Sequence, residues 1–326
     1  MGMTSTAAAR DSLEGLALGD AFGERWFPLF WPGQDPYELI RARRTPEDPA
    51  WRWTDDTAMA LAVYRVLALH GATHQDRLAE AFAEAYLDDA YRGYGYGMHQ
   101  LLPKLAQEPS SWRTESRNLF DGTGSLGNGA AMRVAPLGAW FHEDLDEVAE
   151  QAALSAEVTH AHPEAVAGAV AVALAAALAA RSRNRPAPQA AAFLTEVADR
   201  TPSGPVGDGL REAAALPADT GARRAAAVLG NGARIRASDT VPFALWSAAR
   251  NLDSLADALW TTAEGLGDVD TTCAITGGTV AARTGTSAVP GSWLARREAF
   301  PAGSPTPEPA RVRRRVSLPA GRPPRH

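Results

Sequence analysis

Every residue from Ala165 to Ala180 is Ala, Val or Leu apart from a single glycine, and this tract constrains the fold more than any other. Alanine is too weakly hydrophobic to favour a bilayer strongly, and Glu164 and Arg181 bound the tract short of the ~20 residues that a span needs. It therefore predicts a buried core helix whose small side chains let neighbouring helices come close. Apolar residues recur at helical spacing in Thr54 to Leu69, Gln75 to Tyr86, Leu145 to Ala156, Gln189 to Ala198, Pro242 to Arg250, Ser254 to Leu266 and Thr271 to Arg283. Strand-like alternation is scarce, so the fold class expected is all-α.

The chain has 326 residues, 45% hydrophobic and 21% charged, enough to close a substantial core. A formal net charge of -6 gives no whole-protein reason to expect stable nucleic-acid binding. The single cysteine, Cys273, rules out an intrachain disulfide and multi-cysteine zinc sites. Arg10, Asp11 and Glu14 interrupt the apolar run that a signal peptide would need, and the compartment expected is the cytoplasm. The boundaries read as a flexible N-terminus over 1–12, one helical domain over 13–300 and a disordered, Arg-rich tail over 301–326. Thr201 to Asp219, rich in Gly and Pro, reads as irregular.

Two segments carry chemistry. Thr54-Asp55-Asp56 sets two adjacent carboxylates at a helix start, where unpaired amides already favour negative oxygen. Asp268-Val269-Asp270-Thr271 repeats the pattern far away in sequence. Side-by-side carboxylates repel unless both are solvated or a cation lies between them. All six side chains (Thr54, Asp55, Asp56, Asp268, Asp270 and Thr271) are hard oxygen donors, suited to magnesium, manganese or calcium rather than zinc. Gly122 to Gly127, within the glycine-rich run from Gly122 to Gly129, satisfies a dinucleotide-binding G-x-G-x-x-G, yet no buried strand precedes it, so the glycines read as a loop that approaches a ligand closely.

Four motifs stand in one order along the chain: Gly15-Leu-Ala-Leu-Gly19-Asp20-Ala-Phe-Gly23, Trp53-Thr-Asp-Asp-Thr57, Gly124-Ser-Leu-Gly-Asn-Gly-Ala-Ala-Met-Arg133 and Gly267-Asp-Val-Asp-Thr271. Thr159-His160 and Pro163-Glu164 form a weaker fifth. With them the chain resembles the ADP-ribosylglycohydrolase family. The resemblance implies an orthogonal helical bundle and a magnesium-dependent hydrolase that cleaves the glycosidic bond of an ADP-ribosyl group on a protein, nucleic acid or metabolite. It also implies two Mg2+ ions, with Mn2+ as the variant, on the six oxygen donors named above. Ser125, Gly127 and Asn128 would line the ADP-ribose pocket, with His160 at its edge.

Many members of that family carry a glutamate several residues beyond the first motif, serving the metal and the catalytic water; Phe27 occupies that spacing here. Glu24 is the nearest glutamate and is taken as catalytic together with Asp55 and Asp56. The alternatives are an aspartate of the acidic site as base, or a non-catalytic ADP-ribose-binding module. Asp20 reads as a structural carboxylate that accepts backbone amides, Trp26 and Trp53 as packing, and Cys273 as a small buried side chain.

Overall fold

The computed structural model describes residues 3–27 and 35–302, with side chains from residue 6 onward; the tail expected over 301–326 lies outside the described residues beyond 302. Among the described residues there are sixteen α-helices and no β-strand, with isolated bridges only at Trp51 with Arg297 and Gly127 with Arg236.

Two helices form the axis. α1 (Met3–Gly23) and α15 (Val269–Thr284) pack along most of their length. Glycines at four-residue spacing on α1 permit this: a Cβ on Gly15 would lie 2.6 Å from the Gly277 carbonyl oxygen. On Gly19 it would lie 2.1 Å from that of Cys273, and on Gly23 2.4 Å from that of Val269. No side chain fits there, so the two backbones touch. The consequence is positional, because it sets the C-terminal end of α1 against the acidic start of α15.

The alanine tract is α9 (Pro163–Arg181), buried from Ala167 through Ala177 and packed against α7 (Ala135–Trp140), α8 (Leu145–Glu157) and α13 (Ala237–Arg250). By length and composition it could cross a membrane, but 78% of that window is buried inside the protein. α3 (Asp55–His70) packs on α1 and on α4 (Gln75–Asp88), and α14 (Leu255–Ala263) on α15. Trp26 and Trp53 are both buried: Trp26 joins Phe22 and Trp260 in an aromatic cluster, and the Arg92 guanidinium stacks 3.7 Å above the Trp53 ring. Both are packing residues.

Three expectations are corrected here. The segment 1–12, expected to be flexible, is helical from Met3, and Ala8, Ala9 and Ser12 are fully buried. The segment Thr201 to Asp219 contains α11 (Pro205–Ala215), in which Pro205 stands in the first turn, where its missing N–H costs nothing, and Gly209 sits flush against Pro242. α13 also starts more than a turn before Pro242, at Ala237.

Candidate active site

Asp20, fully buried near the end of α1, accepts the Thr54 amide through both oxygens (3.0 and 2.9 Å), the Thr54 hydroxyl (2.9 Å), the Thr57 amide (3.0 Å) and the Thr57 hydroxyl. This carboxylate caps the start of α3 from outside the helix and so aims Asp55 and Asp56. Burial pushes Asp20 up to about 6 against those hydrogen bonds. Across the α1–α15 contact, Leu266 and Gly267 both turn through positive φ before α15 starts, and the Asp268 amide donates to the Asn231 carbonyl (3.0 Å).

The two acidic helix starts meet. The Thr271 hydroxyl donates to Asp56 Oδ2 (3.4 Å), and the Asn128 amide nitrogen donates to Asp268 Oδ2 (2.7 Å) and to the Thr240 hydroxyl (3.0 Å). Burial first, and then neighbouring carboxylate charge, Asp270 for Asp56 and Asp268 for Asp270, hold Asp56 and Asp270 well above the usual carboxylate range. Burial also pushes Asp55 up to about 8, with the Asp20 charge adding to it, and raises Asp268. Buried carboxylates this close together resist ionising at the same time, because each negative charge raises its neighbours. Among the described residues no three acidic, His or Cys side chains already enclose one point as a cage. The donor set nevertheless fits a hard cation: all its members are oxygens, and Asp56 Oδ1 is buried with no hydrogen-bond partner.

These residues form one end of a cavity of about 510 Å3. Asp55, Asp56, Asp268, Asp270 and Thr271 line it, as do Ser125, Gly127, Asn128 and His160 of the sequence reading. Thr54 and Glu24 lie elsewhere, in an adjoining recess of about 400 Å3 that also holds Phe27, Arg52 and Tyr91. Cavity and recess share Gly93, Asp268 and Asp270, so the acidic cluster stands between them. Burial raises Glu24 to about 7, with the Asp20 charge adding to it; Arg25 and Arg52 oppose the shift.

His160 is buried, and its Nδ1 lies 2.7 Å from the Thr159 hydroxyl. Burial, reinforced by the Arg133 charge, lowers it to about 3. Its folded value thus lies below the ordinary one near 6.5, so between those limits the unfolded chain binds a proton that the folded chain refuses. The expected result is a loss of stability from this residue of roughly 1.4 kcal/mol per pH unit as pH falls below about 6.5. Melting temperature against pH for wild type and His160→Gln checks this: the difference between the curves should change from pH 7 to pH 5, and parallel curves would refute it.

Sequence reasoning missed the cavity mouth. Phe120 and Ile235 both stand exposed there, at φ 52° and 54°, a region that large side chains rarely adopt. Strain of this kind persists where the surrounding structure enforces it and collects at ligand clamps. No local sequence signal marks either residue.

These residues define an all-α bundle with an acidic cleft opening into a cavity walled by a glycine-rich loop. By fold it is similar to a solved structure titled ADP-ribosylglycohydrolase-related protein complex, with a TM-score of 0.60 and 24% identity over 91% of this chain and 94% of that one. The chain belongs to the ADP-ribosylglycohydrolase family, whose model matches residues 1–313. It is 34% identical to ADP-ribosylhydrolase ARH3 of Homo sapiens over 171 residues, 48% of this chain and 46% of that protein. It is 40% identical to the Gallus gallus protein of the same name over 111 residues, 34% of this chain and 30% of that one. The chain thus spans less than half the length of these relatives.

Proposed function

We propose that this chain is a magnesium-dependent hydrolase that cleaves the glycosidic bond of an ADP-ribosyl group. The observation that carries this reading is the meeting of Asp55, Asp56, Asp268 and Asp270 at the end of a cavity walled by the glycine-rich loop. Thr54, Asp55, Asp56, Asp268, Asp270 and Thr271 would hold two Mg2+ ions, with Mn2+ able to replace them. Bound there, the ions would supply Lewis acidity and neutralise the carboxylates.

The rest falls to the chain's own groups. The Ser125 hydroxyl accepts the Gly127 amide (3.2 Å), which leaves its proton to donate to the ligand. Glycines at 127 and 129 let the loop close on the His160 ring, which a Cβ at either position would crowd. Asn128 keeps Asp268 oriented. Phe120 and Ile235 would grip the flat adenine at the mouth. Glu24, at about 7, is poised to take a proton from the attacking water on the far side of the acidic cluster. The recess beside it would receive the group to which ADP-ribose is attached, whether protein, nucleic acid or metabolite. The compartment that goes with this reading is the cytoplasm.

Glu24→Gln is expected to lower turnover by about a hundredfold or more, the usual weight of a general base, while ADP-ribose affinity stays near that of wild type. Steady-state kinetics beside calorimetric titration of ADP-ribose separate the two. Unchanged turnover would transfer the base role to an aspartate. Because Glu24 stands in a recess apart from the main cavity, a second reading is a module that binds ADP-ribose without turnover; tight binding by a wild type with no activity would favour it.

A further inference from the structure

Arg133 closes the glycine-rich motif and has no part in the mechanism above, yet it is a fully buried cation beside the cavity. Its guanidinium lies 4.2 Å over the Phe82 ring, and its NH2 donates to the Ser155 carbonyl (3.0 Å) and to the Thr159 hydroxyl (2.8 Å). Thr159 is itself fully buried and lies 2.7 Å from His160 Nδ1. A hydroxyl has one proton. Its oxygen is engaged as acceptor by Arg133, and the acceptor in reach of its proton is Nδ1. If Nδ1 carried a proton instead, the Thr159 proton would be stranded in the interior, which costs about 1–3 kcal/mol. The imidazole therefore carries its hydrogen on Nε2. That edge faces the glycine-rich loop, where Cβ atoms built on Gly127 and Gly129 would lie 3.5 and 2.9 Å from Nε2, and the residue lines the cavity.

We propose that Arg133 and Thr159 are positioning residues whose chain of hydrogen bonds fixes His160 as the neutral Nε2–H tautomer, so that it presents a donor to an acceptor oxygen or nitrogen of the ligand. The relay joins two motifs that are separate in sequence, Gly124 to Arg133 and Thr159-His160. Arg133 also disfavours a second positive charge on the ring, in keeping with the lowered value of His160. A neutral donor differs from an imidazolium in that it selects for geometry and does not titrate with the medium near neutrality. The ligand in question is the ADP-ribose of the proposed function, so this inference rests on that reading.

The test is 15N-histidine NMR of the full chain at pH 7, with His160 assigned by its loss in His160→Gln, alongside calorimetric titration of ADP-ribose with magnesium. Wild type and Thr159→Ser should carry the ring proton on Nε2 alone and bind equally. Thr159→Val should shift the proton to Nδ1 or mix the tautomers, and should weaken ADP-ribose binding about tenfold, the weight of one hydrogen bond. A wild-type proton on Nδ1 would overturn the relay, and it decides the matter even if Thr159→Val fails to fold. A folded Thr159→Val with unchanged tautomer and affinity would overturn it as well. An Nε2–H wild type that does not bind ADP-ribose would support the relay and overturn the ligand reading.

Discussion

Asp56→Asn should abolish ADP-ribosyl hydrolysis and at the same time raise the melting temperature of the metal-free protein. Asp56 is almost fully buried, with Oδ1 unpartnered and Asp270, Asp20, Asp55 and Asp268 all pushing it away from ionisation. Replacing one of several crowded carboxylates with a neutral isostere removes repulsion from the folded state. Shape and the hydrogen-bonding oxygen remain. The gain should be about 1–2 kcal/mol, or several degrees by calorimetry in EDTA. Magnesium should then stabilise wild type strongly and the variant weakly, because binding to the folded state alone raises its stability by mass action. Turnover should fall by about a thousandfold or more, as expected where the groups assembling the reaction centre act as a unit. Such a trade between stability and activity is the mark of a site built for function. A variant that melts lower than wild type without metal would show that Asp56 holds the fold together and is not one of a set of strained ligands.

Gly19→Ala should be among the most damaging single-methyl substitutions in the chain. The new Cβ would stand 2.1 Å from the Cys273 carbonyl oxygen and 2.7 Å from its carbon, so the obstacle is backbone on a buried helix and cannot rotate away. Overpacking of this kind costs about 1–3 kcal/mol, and more where nothing can yield; about 4 kcal/mol is expected here, read as loss of soluble protein or a large drop in denaturation midpoint. The same substitution at Gly71, where nothing lies within 4 Å, is a poor control because its φ is 75°; Gly95, with open space and ordinary backbone, is the right one and should be nearly neutral. If Gly19→Ala folds, α1 and α15 must separate, and the gap between Asp20 and Asp270 must open with them. Activity should then fall further than stability alone predicts.

The acidic cleft was legible in the sequence because each half carries a local signature: carboxylates and hydroxyls at a helix start. That the halves meet depends on Gly15, Gly19 and Gly23, whose spacing on α1 was visible but whose partner helix was not. Asp20 was legible as an amide acceptor, since a buried carboxylate needs donors, and it caps α3. The helical character of residues 3–12 was hidden, since polar residues there outweighed Ala8 and Ala9, whose burial comes from neighbours distant in sequence. α11 was hidden by its own Gly and Pro, which signal breaks unless Pro stands in the first turn. Phe120 and Ile235 were invisible for a different reason: positive φ at a large side chain is imposed by tertiary structure against local preference. The assignment of Glu24 to the catalytic set came from proximity in sequence; its recess on the opposite side of Asp268 and Asp270 is a matter of three-dimensional arrangement alone.

Release of free ADP-ribose from ADP-ribosylated arginine, serine and nucleic-acid substrates, with magnesium or with EDTA, tests the proposed activity most directly. Wild type should release ADP-ribose from at least one of them in magnesium and from none in EDTA, and Asp56→Asn should release it from none. Release that persists in EDTA, or that survives Asp56→Asn, would contradict a metal-assisted hydrolysis at the meeting point of α3 and α15.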